Sequence, residues 1–432
     1  MKKVQYYLMG CVMAMLLVLP MQAQNVNGVS LKSNDSEVVD DKDDSEVVDS
    51  ALVDSLVADT LRLPWPESVQ VGIEKLLQSK MFETSQVGIM VWDLTADSCI
   101  YRYRERQLMR PASTMKLLTA ITALDKLGGS YQFKTQLKYT GKIENGVLTG
   151  DIYCVGGMDP RFNNDDMTAF VTSLKEMGVD TIRGSIYADR SMKDDNLLGE
   201  GWCWDDDNPV LSPLVFARKD IFMDKFLGKL ADAGIEFSSY SITSRQCPQS
   251  AFTICTRFHT MDQILHRMMK ESDNLYAESM YYQIAASTGN RPANAKNARN
   301  IERQLIHKIG LDPTRYKLAD GSGLSLYNYL SAELEVKLLR YAYKNENILP
   351  HLKPSLPIAG MDGTLKKRMK DSFTYGNVKA KTGTLTGVIS LAGYCKAANG
   401  HDLCFAIINN GIMHGSNART FADRVCMLLC QP

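Results

Sequence analysis

A serine and a lysine stand three residues apart, Ser113 and Lys116, at the head of the apolar run Leu117, Leu118, Ala120, Ile121 and Leu124. Three residues is almost one helical turn, so the two side chains share a face. A serine hydroxyl is a poor nucleophile until a base takes its proton. A lysine can be that base only if its pKa falls, through desolvation or a neighbouring positive charge. Alone the pair means little: average usage gives about one or two Ser-x-x-Lys matches in a chain this long. Helix-starting serines and exposed lysines are both common. Two further clusters raise the signal. Ser272-Asp273-Asn274 lies between two helical runs, and Lys381-Thr382-Gly383 sits on a β-like stretch, VKAKTGTLTG. Lys381 could supply the positive charge if its strand runs beside the Ser113 helix, whose N-terminus adds backbone N–H groups and positive potential. Ser272 can relay a proton to a departing amine, and Asn274 can hold a peptide amide. Lys381, Thr382 and Thr384 can present a cation and hydroxyls to a substrate carboxylate. Gly383 leaves the strand open to close backbone approach.

The rival apparatus is a Ser-His-Asp triad. None of the six histidines lies in a GxSxG-like or zinc-ligand context. His259 and His266, seven apart on an expected helix, read as surface or packing residues. Gly321–Ser325, GSGLS, looks like a phosphate loop but lacks the following lysine and a preceding strand, so it reads as a turn. No metal or cofactor is expected.

These side chains need a scaffold. The spacing of SVQVGIEKLLQ predicts a helix. QVGIMVWDL and SCIYRYRER alternate as two strands of a hairpin, with Thr95-Ala96-Asp97 at the turn. Residues 139–255 differ in character: short strands, a polar loop and a helix near Lys219–Ala233. Helices resume at Met261. VKAKTGT, GVISLAGYCKA and HDLCFAIINNG then form three strands whose short connections favour antiparallel pairing, before a terminal helix from about Asn417. Strands at both ends with helices between predict one sheet assembled from both termini. That is an α+β catalytic domain, 67–138 and 256–432, interrupted by an inserted accessory domain, 139–255.

The ends and the composition set the compartment. Lys2 and Lys3 precede a short apolar core and Met21-Gln22-Ala23, the pattern of a secretory signal over residues 1–23, cleaved near Ala23. The run is short for a membrane span, and no integral span is expected after its removal. Residues 24–66 are acidic, carry DSEVVD twice and lack aromatics before Trp65, so they read as a flexible tether. Lys plus Arg and Asp plus Glu number 49 each, which offers no basic face for nucleic acid. Export permits disulfides among the ten cysteines, but their spacings show neither CxxC pairs nor a zinc pattern. Cys426 and Cys430 read as buried thiols of a helix. Cys395 and Cys404 flank a turn on neighbouring strands, where a bridge is conceivable.

In order, the three clusters are the signature of penicillin-recognising serine enzymes. From about Gln86 to the C-terminus the chain resembles the class C low-molecular-mass penicillin-binding proteins, the D-alanyl-D-alanine carboxypeptidase/endopeptidase family. PAS-x-x-KLLT is Pro111–Thr119, SDNLxAE is Ser272–Glu278, and DGSGLS is Asp320–Ser325. DGTLxxR is Asp362–Arg368, KTG is Lys381–Gly383, and LAGY is Leu391–Tyr394. G-x-DP is Gly157–Pro160, and GW-x-W-DD spans 201–206. The resemblance implies a penicillin-binding/β-lactamase-like transpeptidase fold, an antiparallel sheet flanked by helices plus a helical subdomain. It implies a periplasmic enzyme acting on peptidoglycan stem peptides and acylated by β-lactams. Ser113 would be the nucleophile and Lys116 its base, with backbone N–H groups of Ser113 and Thr384 as the oxyanion hole. Asp159 would meet the amine of a diaminopimelate side chain, although Asp-Pro also simply starts turns.

Two departures stand out. Leu326 occupies the place where the family carries Arg after DGSGLS. The insertion is also short, trimmed between Asp206 and Gly234, which leaves one accessory domain instead of two. Two other readings compete with a peptidase. A serine β-lactamase of class A type needs an additional Glu in an ExxLN-like loop, and none stands between Ser272 and Lys381. A non-catalytic wall-binding or penicillin-sensing module would more often have lost one of the three clusters, and all are intact.

Overall fold

The structure, a computed structural model, describes residues 63–204, 208–237, 244–370 and 373–431. The expected signal, the tether up to residue 62, and Asp205 and Asp206 of the GW-x-W-DD stretch lie outside the described residues. The folded chain reaches back to Trp65, whose ring meets His401 edge-on at 5.5 Å.

Helices α1 (Glu67–Leu76) and α2 (Met81–Thr84) lead into strands β1 (Gln86–Asp93) and β2 (Ser98–Tyr103). The turn between the strands is held by Asp93, whose carboxylate accepts the N–H groups of Thr95 and Ala96. Helix α3 (Met115–Leu127) follows, preceded by a tight helical turn, Ala112–Thr114, that carries Ser113. The regular helix thus begins two residues after the serine.

An intervening region then builds two small sheets. One has the order β10-β3-β6-β8 and the other β4-β5-β7-β9. Their strands are β3 (Gln132–Tyr139), β4 (Lys142–Glu144), β5 (Val147–Thr149), β6 (Ile152–Val155), β7 (Thr181–Arg183), β8 (Ile186–Asp189), β9 (Glu236–Phe237) and β10 (Phe252–Thr260). Helices α4 (Asn164–Glu176) and α5 (Phe222–Asp232) cover them. One apolar core serves both sheets, with Leu137, Ile152 and Ile186 from one, Leu148 and Ile182 from the other, and Phe170 and Phe226 from the helices. His259 lies on β10, not on a helix with His266; the helix starts only at Met261, after Thr260 caps it by accepting Gln263 N–H. A β-branched residue with a side-chain oxygen ends the strand and caps the helix in one position.

Helices α6 (Met261–Lys270), α7 (Asn274–Ala286), α8 (Ala295–Lys308), α9 (Ala332–Tyr343) and α10 (Leu349–Ser355) form the helical layer. The final strands β11 (Lys379–Leu385), β12 (Val388–Lys396) and β13 (Asp402–Asn410), with α11 (Gly415–Cys430), complete the main sheet. Its order is β11-β12-β13-β1-β2, all antiparallel, so strands from both ends of the chain share one sheet as the alternation predicts. Residues of β12 and β13 are buried almost throughout because both faces are covered. Leu403, Phe405 and Ile407 pack with Phe421 and Val425 of α11, while Cys404 and Ala406 face the core shared with α3 and α9.

That alternation settles the cysteines. Cys395 belongs to one core and Cys404 to the other, so the two thiols lie on opposite faces of the sheet and cannot bridge. Cys426 and Cys430 are buried thiols, as their helical spacing suggests. Among the described residues no helix is long and apolar enough to cross a membrane.

Candidate active site

The nucleophile turn is gripped from both sides. Pro111 O accepts the hydroxyls of Thr114 (2.8 Å) and Ser390 (2.5 Å), and Ala112 is held at φ 50°. A non-glycine residue there stores strain that only a surrounding network sustains. Gly323 packs so closely that an added Cβ would sit 1.9 Å from Ala112 O. The turn presents Ser113 above the first residues of α3.

Lys116 lies beneath it, fully buried. Its ammonium nitrogen stands 3.0 Å from Ser113 Oγ, 2.7 Å from Asn274 Oδ1 and 2.8 Å from Ser322 O. All three acceptors are neutral dipoles. They orient the amine without neutralising its charge, and burial pushes its pKa down to about 8 against the pull of Asp320, Glu278 and Asp273. A buried amine near this value has the proton affinity that general-base work at neutral pH requires. Of the two routes that the sequence left open, dehydration is the main agent, not the nearby charge of Lys381.

Lys381 is equally buried. It donates to Ser272 Oγ at 2.8 Å and to Thr382 O at 2.8 Å. Burial, and then the charge of Lys116, hold its pKa well below the usual lysine range. Ser272 itself has φ 59°, a left-handed conformation in a non-glycine residue. Asp273 fixes this corner: it caps α7 through Leu275 N–H and accepts Arg218 and Arg267, each at 3.0 Å. Asn274 is therefore the first residue of a rigid helix whose positions 275–286 are all buried.

Strand β11 is the edge of the main sheet; its start at Lys379 and Ala380 is bonded by Pro357 and Ile358, and beyond that the outer side of its backbone is open to a bound peptide. It passes directly beside the nucleophile. An added Cβ on Gly383 would lie 2.0 Å from Ser390 Oγ, 2.7 Å from Pro111 O and 3.1 Å from Ser113 N. Only glycine permits that approach. Thr382 Oγ1 contacts Thr364 Oγ1 at 2.7 Å, and Thr384 is exposed on the same strand. Ser113, Lys116, Ser272, Asn274, Lys381, Thr382, Gly383 and Thr384 thus converge, although their numbers span most of the chain.

Asp159 stands apart from this cluster, with no hydrogen bond to it. Its carboxylate is buried, accepts Arg161 N–H at 3.0 Å and pairs with His259 Nδ1 at 2.7 Å. Burial pushes the carboxyl above its ordinary range, and the His259 contact opposes that shift. His259, read from sequence as a packing residue, is its partner across a hundred positions, a pairing that no local pattern carries.

Sequence reasoning also missed the supports. Asp320–Ser325 is neither a phosphate cradle nor a mere turn, because it forms the wall behind Lys116. Glu278 Oε1 accepts Gly321 N–H and Ser322 N–H, which aims Ser322 O at the lysine. Asp320 accepts Gly323 N–H, Ser325 N–H, Asn328 Nδ2 and, from the intervening region, Trp202 Nε1 at 2.8 Å. Lys270, buried, donates to both carboxylate oxygens of Asp362 and so anchors the turn that brings Thr364 to Thr382. The sequence marked these stretches only as the motifs DGSGLS and DGTLxxR, without their task.

Known proteins can now be set beside this geometry. The D-Ala-D-Ala carboxypeptidase 3 (S13) family matches residues 69–218 and 210–431. The D-alanyl-D-alanine carboxypeptidase DacB of Haemophilus influenzae is 26% identical over 85% of this chain and 94% of its own length. A D-alanyl-D-alanine carboxypeptidase of an Actinomadura species is 26% identical over 78% of this chain and 80% of its own. The crystal structure of penicillin-binding protein 4 from Haemophilus influenzae superposes with a TM-score of 0.76 at 26% identity, covering 82% of this chain and 97% of that one, and that protein is also known in complex with a β-lactam. With the match running across nearly all the described residues, the chain belongs to the D-Ala-D-Ala carboxypeptidase 3 (S13) family.

Proposed function

We propose that this protein is a periplasmic serine D-Ala-D-Ala carboxypeptidase, acting on peptidoglycan stem peptides through a Ser113 acyl-enzyme and acylated by penicillins at the same serine. One observation carries the reading. A fully buried lysine, its pKa lowered toward neutrality, points its amine at a serine hydroxyl 3.0 Å away on a strained turn.

The chemistry follows from the positions. Neutral Lys116 takes the hydroxyl proton as Ser113 Oγ attacks the carbonyl carbon of the penultimate D-alanine. The oxygen that gains negative charge is met by backbone N–H groups of Ser113 and Thr384, where β11 runs beside the turn. Ser272, its hydroxyl held by Lys381, relays the proton to the departing amine as the C–N bond breaks. Terminal D-alanine leaves, and its carboxylate is recognised by Thr382 and Thr384. Water then attacks the ester with the same lysine as base, releasing the shortened stem and restoring Ser113. Asn274 fixes Lys116 through its amide oxygen and offers its NH2 to a substrate carbonyl.

The same apparatus would cut a cross-link whose leaving group is a side-chain amide instead of free D-alanine, which adds endopeptidase action to the proposal. In this scheme the chain divides into a peptidase domain, 67–138 and 256–432, and an accessory domain, 139–255, with strands β3 and β10 of the small sheet running across the two boundaries. A signal removed near Ala23 and an acidic tether precede them. For Asp159 to read a side-chain amine of the stem, that amine must share or displace His259.

The test is D-alanine release from a purified pentapeptide stem by wild type and Ser113→Ala. Release by wild type alone supports the reaction and its nucleophile. Covalent attachment of a labelled penicillin to the folded Ser113→Ala variant would refute the assignment.

A further inference from the structure

We propose that Arg110 reads a carboxylate on the acyl part of the substrate, the stem residues upstream of the scissile bond. This rests on the carboxypeptidase reading above.

The site has a direction. Ser272 and Lys381 mark the end where the leaving amine is protonated. From Lys381 the edge strand rises about 13 Å to Leu385, so the acyl part lies beyond Thr384, toward Leu385 and the turn into β12. Leu385 pairs with Val388 across that turn, and Val388 pairs in register with Asn410 at the end of β13. Asn410 in turn clamps Arg110: its Oδ1 accepts Arg110 N–H at 2.9 Å and its Nδ2 donates to Arg110 O at 3.1 Å. Arg110 is therefore pinned at the acyl end. It lies three Cα–Cα steps from Ser113, which bounds the Cα–Cα distance at about 11 Å.

Its side chain is held as a binding group would be. Nε donates to Leu326 O at 3.1 Å, and the guanidinium carbon lies 5.8 Å from the centroid of the Tyr329 ring. Together these hold the guanidinium of a half-buried residue, and among the described residues its terminal N–H groups have no hydrogen-bond partner, which leaves them able to take a carboxylate in a forked pair. Among the described residues no carboxylate lies within ion-pair distance of Arg110, so its charge is not neutralised within the chain. The other cations of the site cannot serve this part of the substrate, since Lys116 and Lys381 are wholly buried and committed to internal acceptors. The same loop explains Leu326. Its carbonyl anchors Arg110, and its exposed side chain leaves the guanidinium as the charge at this rim.

Two stem groups carry the required chemistry, the α-carboxylate of a γ-linked glutamate and the distal carboxylate of a diamino diacid at the third position. The experiment uses four pentapeptide stems: both carboxylates free, either one amidated, and both amidated. D-alanine release is measured as kcat/KM for wild type, Arg110→Gln and Arg110→Lys. Glutamine keeps the backbone clamp by Asn410 and can still donate to Leu326 O, and benzylpenicillin acylation checks that the fold and nucleophile survive. We expect wild type to prefer the free stem about tenfold, the scale of one charge-assisted hydrogen bond. Arg110→Gln should erase that preference and Arg110→Lys should restore part of it. The single amidation that abolishes the Arg110 dependence identifies the carboxylate. Equal losses on all four stems, or no loss on any, would overturn the proposal while the enzymatic reading stood. Wild type inactive on every stem and unreactive with penicillin would overturn both.

Discussion

Gly383→Ala tests how tightly the edge strand must lie against the nucleophile. The new Cβ would meet Ser390 Oγ at 2.0 Å, Pro111 O at 2.7 Å and Ser113 N at 3.1 Å. Ordinary contact with such atoms needs about 3.4 Å, so the hydroxyl contact alone calls for about 1.4 Å of relief. Rotating Ser390 can remove that clash at the cost of its bond to Pro111 O, about 1 kcal/mol. The contact with Pro111 O involves backbone on both sides, so β11 or the turn must shift by about 0.7 Å. That shift separates the two N–H groups assigned to the oxyanion. Misplacement on this scale costs about a hundredfold in rate. Stopped-flow acylation by a fluorescent penicillin, with thermal melting as the control for folding, measures it. Ser390→Ala combined with Gly383→Ala should recover part of the rate, because the hydroxyl clash is gone while the Pro111 O and Ser113 N contacts remain. Acylation by Gly383→Ala within threefold of wild type would refute the claim that this approach positions the oxyanion hole.

Two pH profiles follow from the buried groups. Only neutral Lys116 can accept a proton, so the second-order acylation constant should rise with pH through about 8 and then level; a profile flat from pH 6 to 9 would remove Lys116 as base. Glu335, buried beneath Thr114, has its pKa raised to about 8 from an ordinary 4.5. The folded state keeps a proton that the unfolded chain loses, so stability falls as pH climbs from about 4.5 to about 8. Glu335→Gln should lose less melting temperature than wild type between pH 5 and pH 8, and parallel losses in the two proteins would count against a protonated Glu335.

The groups that meet substrate were legible because their chemistry demands rare combinations at short spacing: Ser113 with Lys116, Ser272 with Asn274, Lys381 with Thr382 and Gly383. The main sheet was legible for a similar reason, since β1, β12 and β13 declare themselves as apolar stretches with turn residues between. The supports were not. Glu278 sits in a motif, yet its task is to aim the carbonyl of Ser322, 44 positions away, and a backbone oxygen has no sequence signature. His259 looked helical by proximity to His266. The strand ends only at Thr260, and that register comes from pairing with β3 rather than from local propensity. The pairing of Cys395 and Cys404 failed for a two-residue periodicity that position counting overlooks: adjacent strands bring the residues close, while the pleat sends their side chains to opposite faces.

Seen from Lys116, the buried carboxylates behind it oppose what burial does to its basicity. Each of Asp320, Glu278 and Asp273, if fully charged and unshielded, would hold a proton on the lysine. Each is managed differently. Asp273 is paired with two arginines. Asp320 is saturated by donors from its own loop and by Trp202 of the intervening region. Glu278 has its pKa raised to about 8 by burial and by Asp320, so near neutral pH it retains its own proton while its Oε1 accepts two backbone N–H groups. A carboxylate there would pull the lysine toward its charged form, whereas a carboxylic acid shapes the loop without doing so. The same residues that build the wall thus leave the amine able to part with its proton, and positioning and basicity come from one set of contacts.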